Sequence, residues 1–171
     1  LITVAAFWLT WSIGRLALSR REAALALVLL ALSPQFVLTG ATQLSQPAEM
    51  LCMLAGVYAL FRFEETGASR WVQATGAAFG LAVLVRPMPG VLFLAVGVAW
   101  LIRAARARGA QPVAVLMLVG FPIALAGLVF LGVNWAQTGH PLRTGYHAAH
   151  GNLGFLPEVV EGMSTAGVVV D

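Results

Sequence analysis

Charge is the first thing this sequence has little of. Only 10% of its 171 residues are charged, against about 25% in a soluble domain. Hydrophobic residues make up 60%. That composition excludes an ordinary soluble domain and makes lipid the solvent, in which backbone polar groups are satisfied inside helices. Lysine is absent: all ten basic residues are arginine. They lie in short clusters between apolar runs, the pattern that orients membrane proteins rather than a basic face for nucleic acid. Cys52 is the only cysteine, so no intrachain disulfide forms. There is no GxxxxGK[ST] loop and no GxGxxG following a strand, so nucleotide-driven transport and soluble nucleotide-sugar chemistry have no support in this sequence. No Ser-His-Asp arrangement can be built. An initiator methionine is missing too: Leu1 already sits in an apolar run, and Asp171 follows Ala-Gly-Val-Val-Val directly. The expectation is an internal piece of a longer polytopic protein.

What remains is a series of apolar segments. The first runs from about Leu1 to Leu18 and closes on Arg15, Arg20 and Arg21. The second runs from about Glu22 to Thr39. Ser19 with Glu22 reads as a capping box at its start, and Pro34 is expected to kink it near its far end. A polar, uncharged linker follows from Gly40 to Pro47. Segment three, about Ala48 to Phe63, has Pro47 suited to a first turn and Glu49 suited to the positive end of the helix dipole. Segments four (Trp71 to Val85) and five (Val91 to Ile102) are short for a ~30 Å hydrocarbon core. They flank the break Arg86-Pro-Met-Pro-Gly90 and read as two short spans or a re-entrant hairpin. Segment six runs from about Pro112 to Val133 with Pro122 inside it.

The fold class expected is therefore all-α, a polytopic transmembrane helix bundle of about six membrane segments, two of them short. Residues 1–133 form the transmembrane module. Residues 134–171 form a polar loop and the start of whatever follows. Alternating the segments puts Arg15, Arg20, Arg21, Arg62, Arg70, Arg103, Arg106 and Arg108 on one side and only Arg86 and Arg143 on the other. The arginine-rich side is then cytoplasmic. The polar loop, the 40–47 linker and the Arg86 break share the non-cytoplasmic face of a multi-pass protein of the plasma or inner membrane.

Candidate chemistry concentrates on that face. Arg86 breaks the positive-inside pattern at a Pro-rich junction. It is either an anion site for a phosphate at headgroup depth or an anchor paired with ordinary phospholipid. Glu49 is a weak candidate for a general base and otherwise complements the helix dipole. The stretch Asn134 to Gly151, NWAQTGHPLRTGYHAAHG, holds His140, His147 and His150 with Asn134, Arg143 and Tyr146. His147 and His150 share a helix face if that stretch is helical. No Cys or Asp accompanies them, and the spacing fits no zinc pattern, so polar loop histidines are preferred to metal ligands. Gly76 and Gly80 form a GxxxG packing face. Trp71, Trp100 and Trp135 suit an interfacial belt. Glu64 and Glu65 read as a solvated turn.

Four features resemble membrane glycosyltransferases of the GT-C type, of the protein mannosyltransferase and aminoarabinose transferase kind. One is LALSPQFVLTGATQLSQPAEMLCMLAGVYALFRF. The second is GAAFGLAVLVRPMPGVLFL, similar to a Gly-rich helix ending in a basic residue. The third is NWAQTGHPLRTGY, and the fourth is the alternation of short spans with arginine turns. The resemblance covers about residues 1–155. It implies a sugar donor on a polyprenyl or dolichyl phosphate, an active site on the non-cytoplasmic face, and a protein, lipid or glycan acceptor. The donor tail needs an apolar groove and its phosphate needs cations, for which Arg86 and Arg143 are available. Asn134, His140, Tyr146 and His147 are the further substrate-binding candidates. The resemblance also implies a catalytic aspartate in an external loop upstream of Leu1, so enzymatic activity is expected of a longer protein. Relatives carry an acid before segment three, where this chain has Ser45-Gln46-Pro47 and then Glu49. No cofactor is required by any motif, and a divalent cation stays open. The partners expected are membrane lipid and the lipid-linked sugar, with no nucleic acid. Two alternatives use the same polar face: a polytopic transporter or lipid flippase, and a non-catalytic membrane scaffold. A transporter built from inverted repeats would show a second copy of the helix pattern, and no internal repeat is visible.

Overall fold

A computed structural model describes residues 2–34, 36 and 46–142. Among these, six long helices follow one another: α1 (Ile2–Ala17), α2 (Arg20–Leu32), α3 (Gln46–Thr66), α4 (Ser69–Val85), α5 (Pro87–Ala107) and α6 (Pro112–Thr138). The all-α class is as the composition implies. Two helices, α5 and α6, are long and apolar enough to cross a membrane.

The helix ends carry local physics that the sequence announces. Ser19 caps α2: its hydroxyl accepts from the Glu22 amide at 3.4 Å, and the Glu22 carboxylate accepts from the Ser19 amide at 2.8 Å. Two otherwise orphaned amides are thereby satisfied. The expected kink at Pro34 is not found, because α2 stops at Leu32. Ser33 is extended at φ −67° and ψ 117°, as a residue before proline prefers. Its hydroxyl then accepts from the Phe36 amide at 3.5 Å, and Pro34 opens helical backbone again. Proline here ends one helix and begins a turn of the next.

The fifth segment is longer than its apolar run. It spans 21 residues, about 31 Å at ~1.5 Å per residue. The sequence boundary stopped at the first arginine, but arginine is a good helix former. Charge there ends the apolar stretch and not the helix.

The chain divides into two compact units, Leu1–Gly127 and Leu128–Asp171, with the boundary inside α6. In the first unit α4 is central, and Phe79 is its pivot, 1% exposed. A Cβ at Gly56 of α3 or at Gly97 of α5 would collide with the Phe79 ring. Two bare backbones thus form the socket for one aromatic knob. Leu60, Phe63, Val72, Leu101, Ala104, Ala105, Val115 and Val119 complete this core. The GxxxG expectation holds: a Cβ at Gly76 would lie 2.6 Å from the Val119 carbonyl oxygen, and one at Gly80 would lie 3.1 Å from Ala126 Cβ. Small residues let two backbones approach, which is how helices associate where lipid removes the hydrophobic drive.

These contacts fix directions. Gly56 meets Phe79 while Tyr58 meets Trp71 at 5.8 Å between ring centroids, so α3 and α4 are antiparallel. Gly90 packs on Val83 and Gly97 on Phe79, so α4 and α5 are antiparallel as well. Gly76 with Val119 and Gly80 with Ala126 make α4 and the first part of α6 parallel. Outward-facing positions are apolar: Met88, Leu92, Val96, Met117, Phe121 and Leu125 are all exposed. An apolar exterior on such helices is the signature of a lipid-facing surface.

Candidate functional site

The α4–α5 junction is built by its prolines. Arg86 precedes Pro87 and is held extended, at φ −146° and ψ 102°, because the proline ring disfavours helical backbone before it. It closes α4, its amide donating to the Ala82 carbonyl at 2.9 Å, and opens α5, its carbonyl accepting from Gly90 at 3.1 Å. Gly90 is required by space: a Cβ there would fall 2.5 Å from the Val83 nitrogen. The reversal is therefore tight, and the Arg86 side chain leaves from its apex.

Glu49 stands in the first turn of α3 and is 6% exposed. Its Oε2 accepts from Arg86 Nη1 at 3.3 Å. Its Oε1 is buried and has no hydrogen-bond partner among the described residues. The Arg86 side chain is 42% exposed. One face of the guanidinium thus leans on a buried carboxylate and the other is open. Guanidinium carries five N–H donors, and one is used in this pair. A planar fork with free donors on an anchored stem is suited to a phosphate or carboxylate. Glu49 and Arg86, taken singly in the sequence, do not reveal this partnership. A positional signal existed, since the two residues are equally far from the Gly67-Ala68 turn that reverses α3 into α4.

At the opposite end of α3, Glu64 is no free solvated acid. Its carboxylate accepts from Trp100 Nε1 at 2.6 Å and from Arg103 Nη2 at 3.5 Å. Arg108 reaches its backbone carbonyl. Glu65 pairs with Arg62 and is exposed, as expected of a turn. Trp100 lies within the apolar run and Arg103 directly after it, and packing of α5 on α3 turns both toward Glu64.

The second unit's described part is the end of α6 and the turn after it. The helix continues to Thr138, so Asn134 is helical and not yet loop. Asn134 is buried and its side-chain amide donates to the Pro141 carbonyl at 3.3 Å. Gly139, at φ 70°, takes the left-handed conformation that ends a helix, its amide donating to the Trp135 carbonyl at 2.9 Å. His140 is exposed, and its Nδ1 accepts from the Leu142 amide at 3.4 Å. Both polar side chains fold the chain back over the helix end. Arg143, Tyr146, His147 and His150 lie outside the described residues, as does the 40–45 part of the linker. Among the described residues no group of three or more His, Cys, Asp or Glu side chains could hold a metal.

Among the described residues, long helices with an apolar exterior, two of them long and apolar enough to cross a membrane, mark an integral membrane protein with an arginine–carboxylate pair at one helix break. The family model for dolichyl-phosphate-mannose-protein mannosyltransferase matches residues 1–131. The chain belongs to this family of GT-C-type membrane glycosyltransferases, whose donor is a sugar carried on a polyprenyl phosphate. The match spans Glu49 and Arg86 and stops short of Asn134. No curated protein and no solved structure matches the chain.

Proposed function

We propose that Arg86, steadied by Glu49, contacts the phosphate of the lipid-linked sugar donor. The observation that carries this reading is a half-exposed guanidinium anchored on a buried carboxylate at 3.3 Å. The family supplies a donor with a phosphate, and this pair supplies a cation with unused donors. The transporter and scaffold alternatives draw no support from the family match.

The reading extends to topology. All six helices are membrane segments in alternating orientation, and the arginine bias puts the Arg86 junction on the non-cytoplasmic face. Asn134, His140, Arg143, Tyr146 and His147 are further candidates for substrate contact by sequence, and the acceptor is a protein, lipid or glycan hydroxyl. Enzymatic activity is assigned to the intact protein, with the catalytic base outside the residues named here.

The test is Arg86→Ala in the intact membrane protein, followed by insertion and by transfer from the polyprenyl-phosphate donor. Normal insertion with donor use lost supports the assignment. Unchanged donor use removes Arg86 from the site.

A further inference from the structure

At the far end of the α3–α4 pair, two tryptophans sit in matching company but with unmatched hydrogen bonding. Trp100 has the Arg103 guanidinium 5.5 Å from its ring centroid, and its indole N–H donates to Glu64 at 2.6 Å. Trp71 has two guanidinium groups on it, Arg62 and Arg70, each 5.4 Å from the ring centroid. Its indole N–H is buried and without a partner among the described residues. Arg62 Nε is buried and unpartnered as well. Arg62 uses Nη1 on Glu65, while Arg70 is exposed and makes no ion pair among the described residues.

A buried donor without an acceptor is costly, and native structures avoid it. Here two such donors flank one aromatic ring beside an uncompensated cation. At Trp100 the acceptor is a carboxylate of the chain itself. At Trp71 no acceptor stands among the described residues, and what the three groups need is an anion with several acceptor oxygens. The helices that carry them present apolar side chains outward, so a headgroup is the anion at hand.

We propose that Arg62, Arg70 and Trp71 form a binding site for the phosphate of an anionic phospholipid. Exposed Arg70 meets the phosphate first, and as its guanidinium swings off the Trp71 ring onto the headgroup the phosphate oxygens accept from Trp71 Nε1 and Arg62 Nε. A zwitterionic lipid offers the same phosphate but brings a cation next to Arg70, so the site discriminates by net headgroup charge. It is separate from the donor junction and holds whether or not Arg86 binds donor.

The experiment uses the intact protein in nanodiscs containing phosphatidylglycerol and phosphatidylcholine. Lipids retained on the protein are then counted by native mass spectrometry. The wild type retains phosphatidylglycerol in preference. Arg70→Gln lowers that preference about fivefold, the effect of one basic residue at an anionic headgroup. Trp71→Phe keeps an aromatic ring and removes only the N–H donor, and it also lowers the preference. Arg20→Gln, an exposed arginine of the α1–α2 turn, leaves it unchanged. The proposal is overturned if Trp71→Phe and Arg70→Gln both retain lipid as the wild type does. It is equally overturned if Arg20→Gln loses as much, since the effect is then general surface charge. Retention of inorganic phosphate by lipid-free protein, with no lipid preference in nanodiscs, overturns the lipid assignment.

Discussion

Glu49 and Arg86 are separated by 37 residues and meet at 3.3 Å. The carboxylate is buried and the guanidinium is half out, so the pair works as an anchor more than as a stabilising bridge. Removing the anchor frees the arginine without deleting it. Glu49→Gln is therefore expected to raise the donor KM about tenfold while kcat changes less, because one charge-assisted bond is worth about 1.5–3 kcal/mol. Arg86→Lys keeps the charge and loses the planar fork. It should fall between wild type and Arg86→Ala, whose donor KM rises about 10- to 100-fold. Steady-state transfer assays with the donor varied separate these cases. Equal KM values across the series would show that the pair plays no part in donor binding.

The socket for Phe79 gives a prediction about packing. A Cβ at Gly97 collides with the Phe79 ring, and the ring is pinned from the other side by Gly56. Gly97→Ala should cost about 1–3 kcal/mol through overpacking. Phe79→Leu removes the clashing ring edge, so Gly97→Ala with Phe79→Leu should cost less than the sum of the two single changes. The melting midpoint of the detergent-solubilised protein, followed by size-exclusion chromatography after heating, measures this. Strict additivity would mean that the two residues do not touch.

Much of this architecture was legible one helix at a time. The Ser19–Glu22 box, the Arg86-Pro87 break and the Gly76/Gly80 face each depend on residues a few positions apart, where backbone chemistry dictates the outcome. The partners of Glu49 and Glu64 were not legible in the same way. Each depends on how far a second helix runs and which face it turns, and those are settled by packing around Phe79. The length of α5 is the clearest instance. Its apolar pattern ends at Ile102 while its backbone continues to Ala107, and the added turn puts Arg106 in the last turn of the helix and Arg108 at its cap. Pro34 ends a helix where a kink is expected, for a related reason. A proline can kink or terminate, and Ser33 beside it offers a hydroxyl cap that favours termination.

The capping box is a cheap test of local stability. Ser19→Ala removes the acceptor for the Glu22 amide and should cost about 1 kcal/mol. Ser19→Asp supplies another N-cap acceptor and should retain most of the stability. Circular dichroism melts of the reconstituted protein compare the three. If Ser19→Ala melts with the wild type, α2 is held by its neighbours alone.

Orientation is the premise on which the donor assignment stands, and it has its own test. By sequence alone, alternating the segments assigns Arg15, Arg20, Arg21, Arg62, Arg70, Arg103, Arg106 and Arg108 to one side and only Arg86 and Arg143 to the other. Basic residues are retained in the cytoplasm during insertion, so the Arg86 junction and the residues after α6 should face away from it. Cys52 is the sole native thiol, which makes a Cys52→Ser background simple to build. His147→Cys in that background should react with a membrane-impermeant maleimide on intact cells. A cysteine placed at Ala107, at the end of α5, should react only after lysis. The reverse pattern would put Arg86 in the cytoplasmic leaflet and separate it from a non-cytoplasmic donor. The Arg62–Trp71 lipid site would survive that inversion, since it requires an anionic headgroup and no particular leaflet.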